Sequence, residues 1–224
     1  MKRALGGKGT LTVLLGLAAM AGSPGIPSAE ANPARAGGDT RTLGAARALA
    51  ERLESSGHAE ARLERSVFDP IDGKRRVVRG RLSLEPPDRA ALFFPATGER
   101  VTLRGDGGEW VQPRLRQMLV LGPERAAAAR RWWELLIREH DDRFSAHSLG
   151  PNLLVVTARA ADGAPVDSAW VTLDRVGLPS RLEIEEGSDG RTAYRFTNWV
   201  FGRARGRAAF VLVAPNGYEV IRVP

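Results

Sequence analysis

The chain has 224 residues, enough for one domain with a hydrophobic core of its own. Hydrophobic residues make up 43% and aromatic residues 6%, which is an ordinary globular composition and excludes a chain that is disordered throughout. Cysteine is absent, which excludes catalytic thiols, disulfides and a lipid-modified N-terminal cysteine. The net charge is +7, and only three of the 33 basic residues are lysine.

The basic balance does not indicate nucleic-acid binding. The arginines stand beside acidic residues along the chain, as at Glu64-Arg65 and Glu99-Arg100, and they form no dense basic stripe in the linear sequence. We therefore expect no nucleic-acid partner. A weak attraction to anionic lipid headgroups fits this charge better.

The N-terminal segment has the pattern of an export signal. A basic start is followed by the apolar run Leu11–Ala21, which is too short to span a bilayer, and then by small residues that allow cleavage after Ala31. An uncleaved anchor helix is the alternative interpretation. We predict a signal peptide over 1–31, a flexible N-terminus over 32–39 and a single exported, soluble domain over 40–224.

Two segments have helical patterns. In the first, apolar residues from Leu43 to Leu53 recur at helical spacing, and the pattern ends near Gly57. The second opens at Gly122-Pro123, with proline at the first helical position, and contains Trp132-Trp133. Adjacent helical residues point about 100° apart, which is a wider angle than a single narrow buried stripe requires. This pair therefore suits a lid facing a ligand cavity.

Most of the remaining domain alternates between apolar and polar residues, which predicts strands. Short runs separated by turn signals follow one another from Ala59 to Leu121, and after a polar connection they resume at Leu153 and end with Ala208–Ala214. The predicted fold class is mainly β (α+β), with about 10–11 antiparallel strands curled into an incomplete barrel or a sandwich and two or more lid helices.

Motifs of catalysis are weak. No serine lies in a Gly-x-Ser-x-Gly elbow, and Gly105–Gly108 lacks the Lys-Ser/Thr of a phosphate loop, so it is interpreted as a hairpin turn. His140, Asp141, Asp142 and His147 could supply metal ligands, but their spacing is not a standard zinc spacing and a solvated loop is the preferred interpretation. We predict no enzyme, no metal and no cofactor.

The strongest signal is the order of strands and turns in the first half of the domain and at its end. The residues that carry it are Gly80–Pro95, Val101, Asp106-Gly107, Trp110, Pro113, Gln117 and the closing Phe210–Val220. In this order and spacing the chain resembles LolA, the periplasmic outer-membrane lipoprotein carrier family. The resemblance covers most of the domain, and Gly122–Pro151 matches least.

The resemblance implies an incomplete β-barrel closed by helices, with an apolar interior that takes the acyl chains of lipoproteins. A monomeric periplasmic carrier of this kind would receive acylated lipoproteins from an ATP-driven extractor in the inner membrane and pass them to an outer-membrane acceptor lipoprotein. The related acceptor is anchored through cysteine, so the absence of cysteine favours the carrier.

Strand alternation, combined with the resemblance, gives a set of candidate residues for the lipid-binding cavity. They are Leu82, Leu84, Ala91, Phe93, Val101, Leu103, Trp110, Met118, Trp133, Trp170, Val171, Leu182, Ile184, Phe210 and Leu212. The candidates for the lid or gate are Glu85, Arg89 and Trp132. Glu85 stands where the family has an arginine before proline, so Arg89 or another arginine would have to replace it.

Two other classes remain open at this stage. A LolA-like envelope module could bind a different lipid or a protein partner in a regulatory or sensor role. An envelope enzyme that uses His140 and His147 would instead bind stoichiometric metal.

Overall fold

A computed structural model describes residues 47–69, 73–137, 144–159, 165–185 and 191–224. The described part contains two α-helices, α1 (Arg47–Ser56) and α2 (Pro123–Ile137), and one sheet of twelve strands. The strands are β1 (His58–Asp69), β2 (Lys74–Glu85), β3 (Arg89–Phe94), β4 (Glu99–Arg104), β5 (Gly107–Gln112), β6 (Gln117–Leu121), β7 (Phe144–Gly150), β8 (Leu153–Arg159), β9 (Pro165–Leu173), β10 (Pro179–Glu185), β11 (Arg191–Gly202) and β12 (Glu219–Val223).

The sheet is built from two meanders. Strands β1 to β6 pair in chain order and so do β7 to β11, and the pairing of β1 with β11 joins the two sets. These pairs are antiparallel, whereas β12 lies parallel to β6 at one edge of the sheet. Within the described residues β7 forms the other edge, so the sheet stays open.

The path of α2 explains why the sheet is curved. Strands β6 and β7 are ten strand spacings apart, which corresponds to roughly 48 Å in a flat sheet. The helix α2, which lies between them in the sequence, has 15 residues, a length of about 22 Å. It contacts β4, β5 and β6, and its Trp132 ring lies 6.0 Å from the ring of Phe144 on β7. The two edges therefore bend toward each other around α2.

The two faces of the sheet have different compositions. We call the face that carries Leu82 and Leu84 and packs against α1 and α2 the inner face, and the opposite one the outer face. The main hydrophobic core lies between the inner face and the helices, which contribute Leu49 and Leu53 from α1. The outer face carries the polar and charged residues of β1, β2 and β11, such as Arg62.

The predicted fold class is confirmed, with an open, curved, mostly antiparallel sheet and two helices in the described residues. The first helix ends where predicted, because the N–H of Gly57, at φ +90°, donates to the carbonyl of Leu53 at 2.6 Å. Gly105 and Asp106 form the turn of the hairpin of β4 and β5. The predicted signal peptide and flexible N-terminus lie outside the described residues.

Three details of the predicted strands were wrong. The segment predicted as a polar connection before Leu153 contains β7, a half-exposed edge strand whose one-sided pairing gives no clear alternation. Residues 208–214 are not a strand. They begin with the 3-10 helix Arg207–Phe210, and the last strand, β12, comes later and was not predicted.

Candidate functional site

The inner face of the sheet is a continuous apolar layer. Cross-strand neighbours are apolar in both meanders: Leu82 lies opposite Leu92 on β3, and Leu182 lies opposite Val171 on β9. The buried inner-face residues are Ala59, Ala61, Leu63, Leu82, Leu84, Ala90, Leu92, Phe94, Val101, Leu103, Trp110, Leu121, Leu154, Val156, Ala169, Val171, Leu173, Leu182, Ile184, Tyr194 and Phe196. This layer is the surface on which an apolar ligand could lie.

Both tryptophans of the tandem pair on α2 are buried against this layer. Trp133 makes an edge-to-face contact with Tyr194 on β11, with ring centroids 5.0 Å apart and planes at 72°. Trp132 is directed to Phe144 on β7. The wide angle between adjacent helical residues therefore allows α2 to contact two strands at once.

A buried ion pair lies on the same helix. Arg130 donates from Nε to the carboxylate of Glu134, one turn further along α2, and both side chains are buried. The guanidinium of Arg130 also donates to the backbone carbonyl of Arg104 at the end of β4, so the pair attaches α2 to the sheet. Neither residue was predicted from the sequence. An Arg-Glu pair at i, i+4 on a helix with buried tryptophans is the signal that would have identified them.

A second buried polar network lies on the inner face, next to the turn between β3 and β4. Arg65 on β1 makes two hydrogen bonds to the carboxylate of Glu99, at 2.9 and 3.3 Å, and its guanidinium lies 4.2 Å from the centre of the Phe94 ring. The indole N–H of Trp110 donates to the same carboxylate at 3.1 Å. Trp110, a predicted cavity residue, is thus fixed in its orientation.

The structure places nine of the predicted cavity residues on the inner face or on α2. They are Leu82, Leu84, Val101, Leu103, Trp110, Trp133, Val171, Leu182 and Ile184, and all of them are buried. In the described conformation they form a packed core.

The other six predicted cavity residues do not face this layer. Ala91 and Phe93 lie opposite Ser83 and Arg81 on the outer face, because β3 is apolar on both sides and only its register with β2 shows which side is buried. Met118 and Trp170 also lie on the outer face, opposite Val111 and Glu183. Phe210 and Leu212 belong to the C-terminal segment 205–212, which covers the outer face of β3 and β4 and binds Glu109 on β5.

Two of the three predicted gate residues bind the C-terminal segment 205–212 instead of a helical lid. Glu85 is fully buried and accepts hydrogen bonds from the backbone N–H groups of Arg205, at 2.7 Å, and Gly206, at 3.2 Å. Arg89 pairs with Glu85 at 2.9 Å, and its guanidinium lies 6.0 Å from the centre of the Phe210 ring. Trp132, the third, does lie on α2.

Arg104 and Glu109 also bind the C-terminal segment 205–212. Arg104 donates to the carbonyl of Phe210, and the N–H of Leu212 donates to Glu109 at 3.3 Å. Burial raises the pKa of Glu109, but hydrogen bonds from Arg104 and Thr102 lower it more, so the pKa lies below its ordinary value. Side chains satisfy the backbone here, which explains why residues 208–214 do not form a strand.

Two cavities open on the outer side of the sheet. The larger, of about 670 Å³, lies over β11, β1 and β2 and is lined by arginines, whereas the smaller, of about 360 Å³, lies between Asp88 and Arg207. Among the described residues no three histidine or acidic side chains form a group that could hold a metal. His147 is exposed on β7, while His140, Asp141 and Asp142 lie outside the described residues.

None of the helices in the described part is both long and apolar enough to cross a membrane. No family model matches the chain, and no curated protein matches it.

Several solved structures are similar in fold. A LolA superfamily protein from Nitrosomonas europaea has 11% identity and a TM-score of 0.47 over 75% of this chain and 97% of that one. A DUF1329 family protein from Desulfovibrio piger has 11% identity and a TM-score of 0.44 over 76% and 97%. The lipoprotein LppX from Mycobacterium tuberculosis has 11% identity and a TM-score of 0.37 over 72% and 96%. The likeness concerns only the arrangement of strands and helices.

Proposed function

We propose that this chain is a carrier that binds acyl chains between the inner face of the sheet and the helices α1 and α2. The observation that carries the proposal is the continuous apolar inner face, which in the described residues is covered by only two helices. A ligand would enter by displacing α2. The core residues on both sides of α2, such as Leu103 and Val171, would then contact the acyl chain.

The free energy gained by burying an acyl chain is comparable to the free energy lost by displacing α2. Each methylene removed from water contributes about 0.8 kcal/mol, so a chain of 16 carbons contributes roughly 12 kcal/mol. Exposing an apolar side chain costs about 1.5–3 kcal/mol, so displacing Trp132, Trp133, Leu136 and Ile137 costs roughly 6–12 kcal/mol. Because the two terms are of similar size, an acyl chain can replace the helix without unfolding the sheet.

In its specific form, the proposal is a monomeric periplasmic carrier, comprising the predicted domain 40–224, that is neither an enzyme nor dependent on a cofactor. It takes acylated lipoproteins from an ATP-driven extractor in the inner membrane and passes them to an acceptor at the outer membrane. The sequence resemblance to the LolA family supports this form.

A second candidate is an envelope module that binds another lipid or a protein partner. The observation that favours it is the packing of α2 into the interior, since both cavities described above open on the outer side and not between sheet and helices. In this case α2 would stay in place, and acyl chains would not bind.

Contact quenching separates the two candidates. The tryptophans Trp110, Trp132 and Trp133 are buried in the interior, whereas Trp170 lies on the outer face. If an acyl chain enters the interior, dibromostearic acid quenches the tryptophan fluorescence. The quenching decreases in Trp133→Phe and persists in the control Trp170→Phe. Absence of quenching in the wild type would favour the interaction module, and loss only in Trp170→Phe would place the ligand on the outer face.

The cargo is identified by mass spectrometry of an organic extract of the protein purified from the periplasm. Triacylated N-terminal peptides in the extract would support lipoprotein transport. Phospholipid or fatty acid alone would support binding of another lipid.

A further inference from the structure

The register of the sheet gathers arginines that are scattered in the sequence. Arg62 on β1 lies directly opposite Arg81 on β2. In the next row Glu64 lies between Arg195 on β11 and Arg79 on β2. These side chains line the cavity of about 670 Å³, which we call the arginine groove. A basic stripe that the linear sequence lacks therefore exists on the outer face.

Most of the positive charge in the groove is unpaired. Arg79 binds Glu64 at 2.9 Å, but in the described part of the chain Arg62, Arg81 and Arg195 make no ion pair or side-chain hydrogen bond. All three are exposed. Like charges placed directly opposite on a sheet are destabilising, so the pair Arg62 and Arg81 costs stability as long as no anion lies between them. The arrangement indicates an anionic ligand.

Exposed apolar side chains lie next to the same charges. Phe93 lies opposite Arg81 on β3 and is 36% exposed, and the guanidinium of Arg100 is 5.8 Å from the centre of its ring. Val77, further along β2, and Val200 on β11 are more than half exposed. Arginines interspersed with exposed apolar residues are typical of surfaces that contact phosphate headgroups and the upper acyl region together.

We propose that the arginine groove docks the protein on the surface of a bilayer that contains anionic phospholipid. The planar guanidinium groups of Arg62, Arg81 and Arg195 would bind headgroup phosphates, for which two parallel N–H···O bonds are well suited. Phe93 would lie at the boundary with the acyl chains. This site is on the opposite face from the proposed acyl-binding interior, and the two can be tested separately.

The test is co-sedimentation of the full protein with vesicles. Wild type is expected to bind vesicles of phosphatidylglycerol and phosphatidylcholine, and not vesicles of phosphatidylcholine alone, with weaker binding as salt increases. Each arginine near an anionic surface strengthens partitioning about fivefold, so Arg62→Gln with Arg81→Gln is expected to weaken it roughly 25-fold. The matched control is Arg114→Gln with Arg175→Gln, which removes the same charge at two exposed positions outside the groove.

The outcomes are distinct. Loss of binding in the groove variant with binding retained in the control supports the proposal. Equal loss in both variants would show that net charge alone drives the binding. Absence of wild-type binding would favour an acidic protein as the partner. Either result overturns the proposal. Quenching by dibromostearic acid, measured on the same variants, shows whether the interior is intact and keeps the two sites apart.

Discussion

The guanidinium of Arg130 and the carboxylate of Glu134 contact each other inside the protein, one turn apart on the helix that covers the apolar sheet. Both charges lose their hydration when α2 packs, and their mutual attraction recovers only part of that cost. The pair therefore orients α2 over the end of β4 while adding little net stability. Such a contact suits a helix that must leave the sheet when a ligand enters.

We predict that Arg130→Leu destabilises the protein by about 3–5 kcal/mol, because it removes the buried guanidinium that binds the carboxylate of Glu134. The double variant Arg130→Leu/Glu134→Leu is expected to be as stable as wild type or more stable by about 1–4 kcal/mol, and to take up dibromostearic acid more slowly. Urea unfolding measures the first effect, and stopped-flow quenching measures the second.

The exposed pair Arg47 and Glu51 on α1 is the control, since it has the same i, i+4 spacing at a distance of 2.7 Å. Its removal by Arg47→Leu is expected to cost less than about 0.5 kcal/mol. A cost for Arg130→Leu no larger than this would show that the buried pair does not hold α2.

Phe93 and Trp110 are expected to respond in opposite ways to the same substitution. Phe93→Glu places a carboxylate on the outer face, near Arg81 and Arg100, so folding and acyl binding should remain unchanged. Trp110→Glu places a second carboxylate beside buried Glu99 and is expected to unfold the protein. Circular dichroism and quenching by dibromostearic acid measure both effects. An acyl-binding defect in folded Phe93→Glu would show that Phe93 belongs to the acyl-binding cavity after all.

The contrast between β2 and β3 shows which part of the site the sequence could predict. On β2 the polar residues Arg81 and Ser83 alternate with Leu82 and Leu84, so the pattern itself identifies the buried side. On β3 the run Ala90–Phe94 is apolar throughout, and only pairing with β2 shows that Leu92 is inside and Phe93 outside. Register depends on distant strands, which a local pattern does not contain.

The C-terminal segment shows a second limit. Phe210 and Leu212 alternate as strand residues do, but Arg104 and Glu109, about a hundred positions earlier, bind the backbone of this segment. Long-range hydrogen bonds of side chains thus override local strand propensity. For the same reason the arginine groove could not be predicted, since Arg62, Arg81 and Arg195 come together only through strand pairing.

Glu85 is predicted to hold the residues that follow β11. In Glu85→Ala the N–H groups of Arg205 and Gly206 lose their acceptor, and Arg89 loses its ion-pair partner. A loss of about 1–3 kcal/mol in local stability corresponds to roughly 5- to 150-fold faster trypsin cleavage in this segment. Glu219→Ala, at an exposed position, is the control for charge. Unchanged cleavage after Arg203, Arg205 and Arg207 would argue against this role.

His58 is predicted to make stability depend on pH. It is buried next to Glu60, Glu85 and Arg205, and neither ring nitrogen has a hydrogen-bond partner among the described residues. Burial lowers the pKa of His58 below its ordinary value of 6.5, and the charge of Arg205 lowers it further. The unfolded chain therefore binds a proton more readily, so stability that is present above pH 6.5 is lost as the pH falls toward the folded pKa.

The measurement is urea unfolding of wild type and of His58→Leu at a series of pH values between about 7.5 and 5. The variant is expected to lose the slope in this range with little change near pH 7.5. His147→Leu, on exposed strand β7, should keep the wild-type slope. A further decline in stability at lower pH has another origin. The pKa of Glu109 is lowered in the folded protein, so its contribution to stability is lost only below its ordinary pKa of 4.5. If His58→Leu and wild type have the same slope above pH 5, His58 is not the group that titrates.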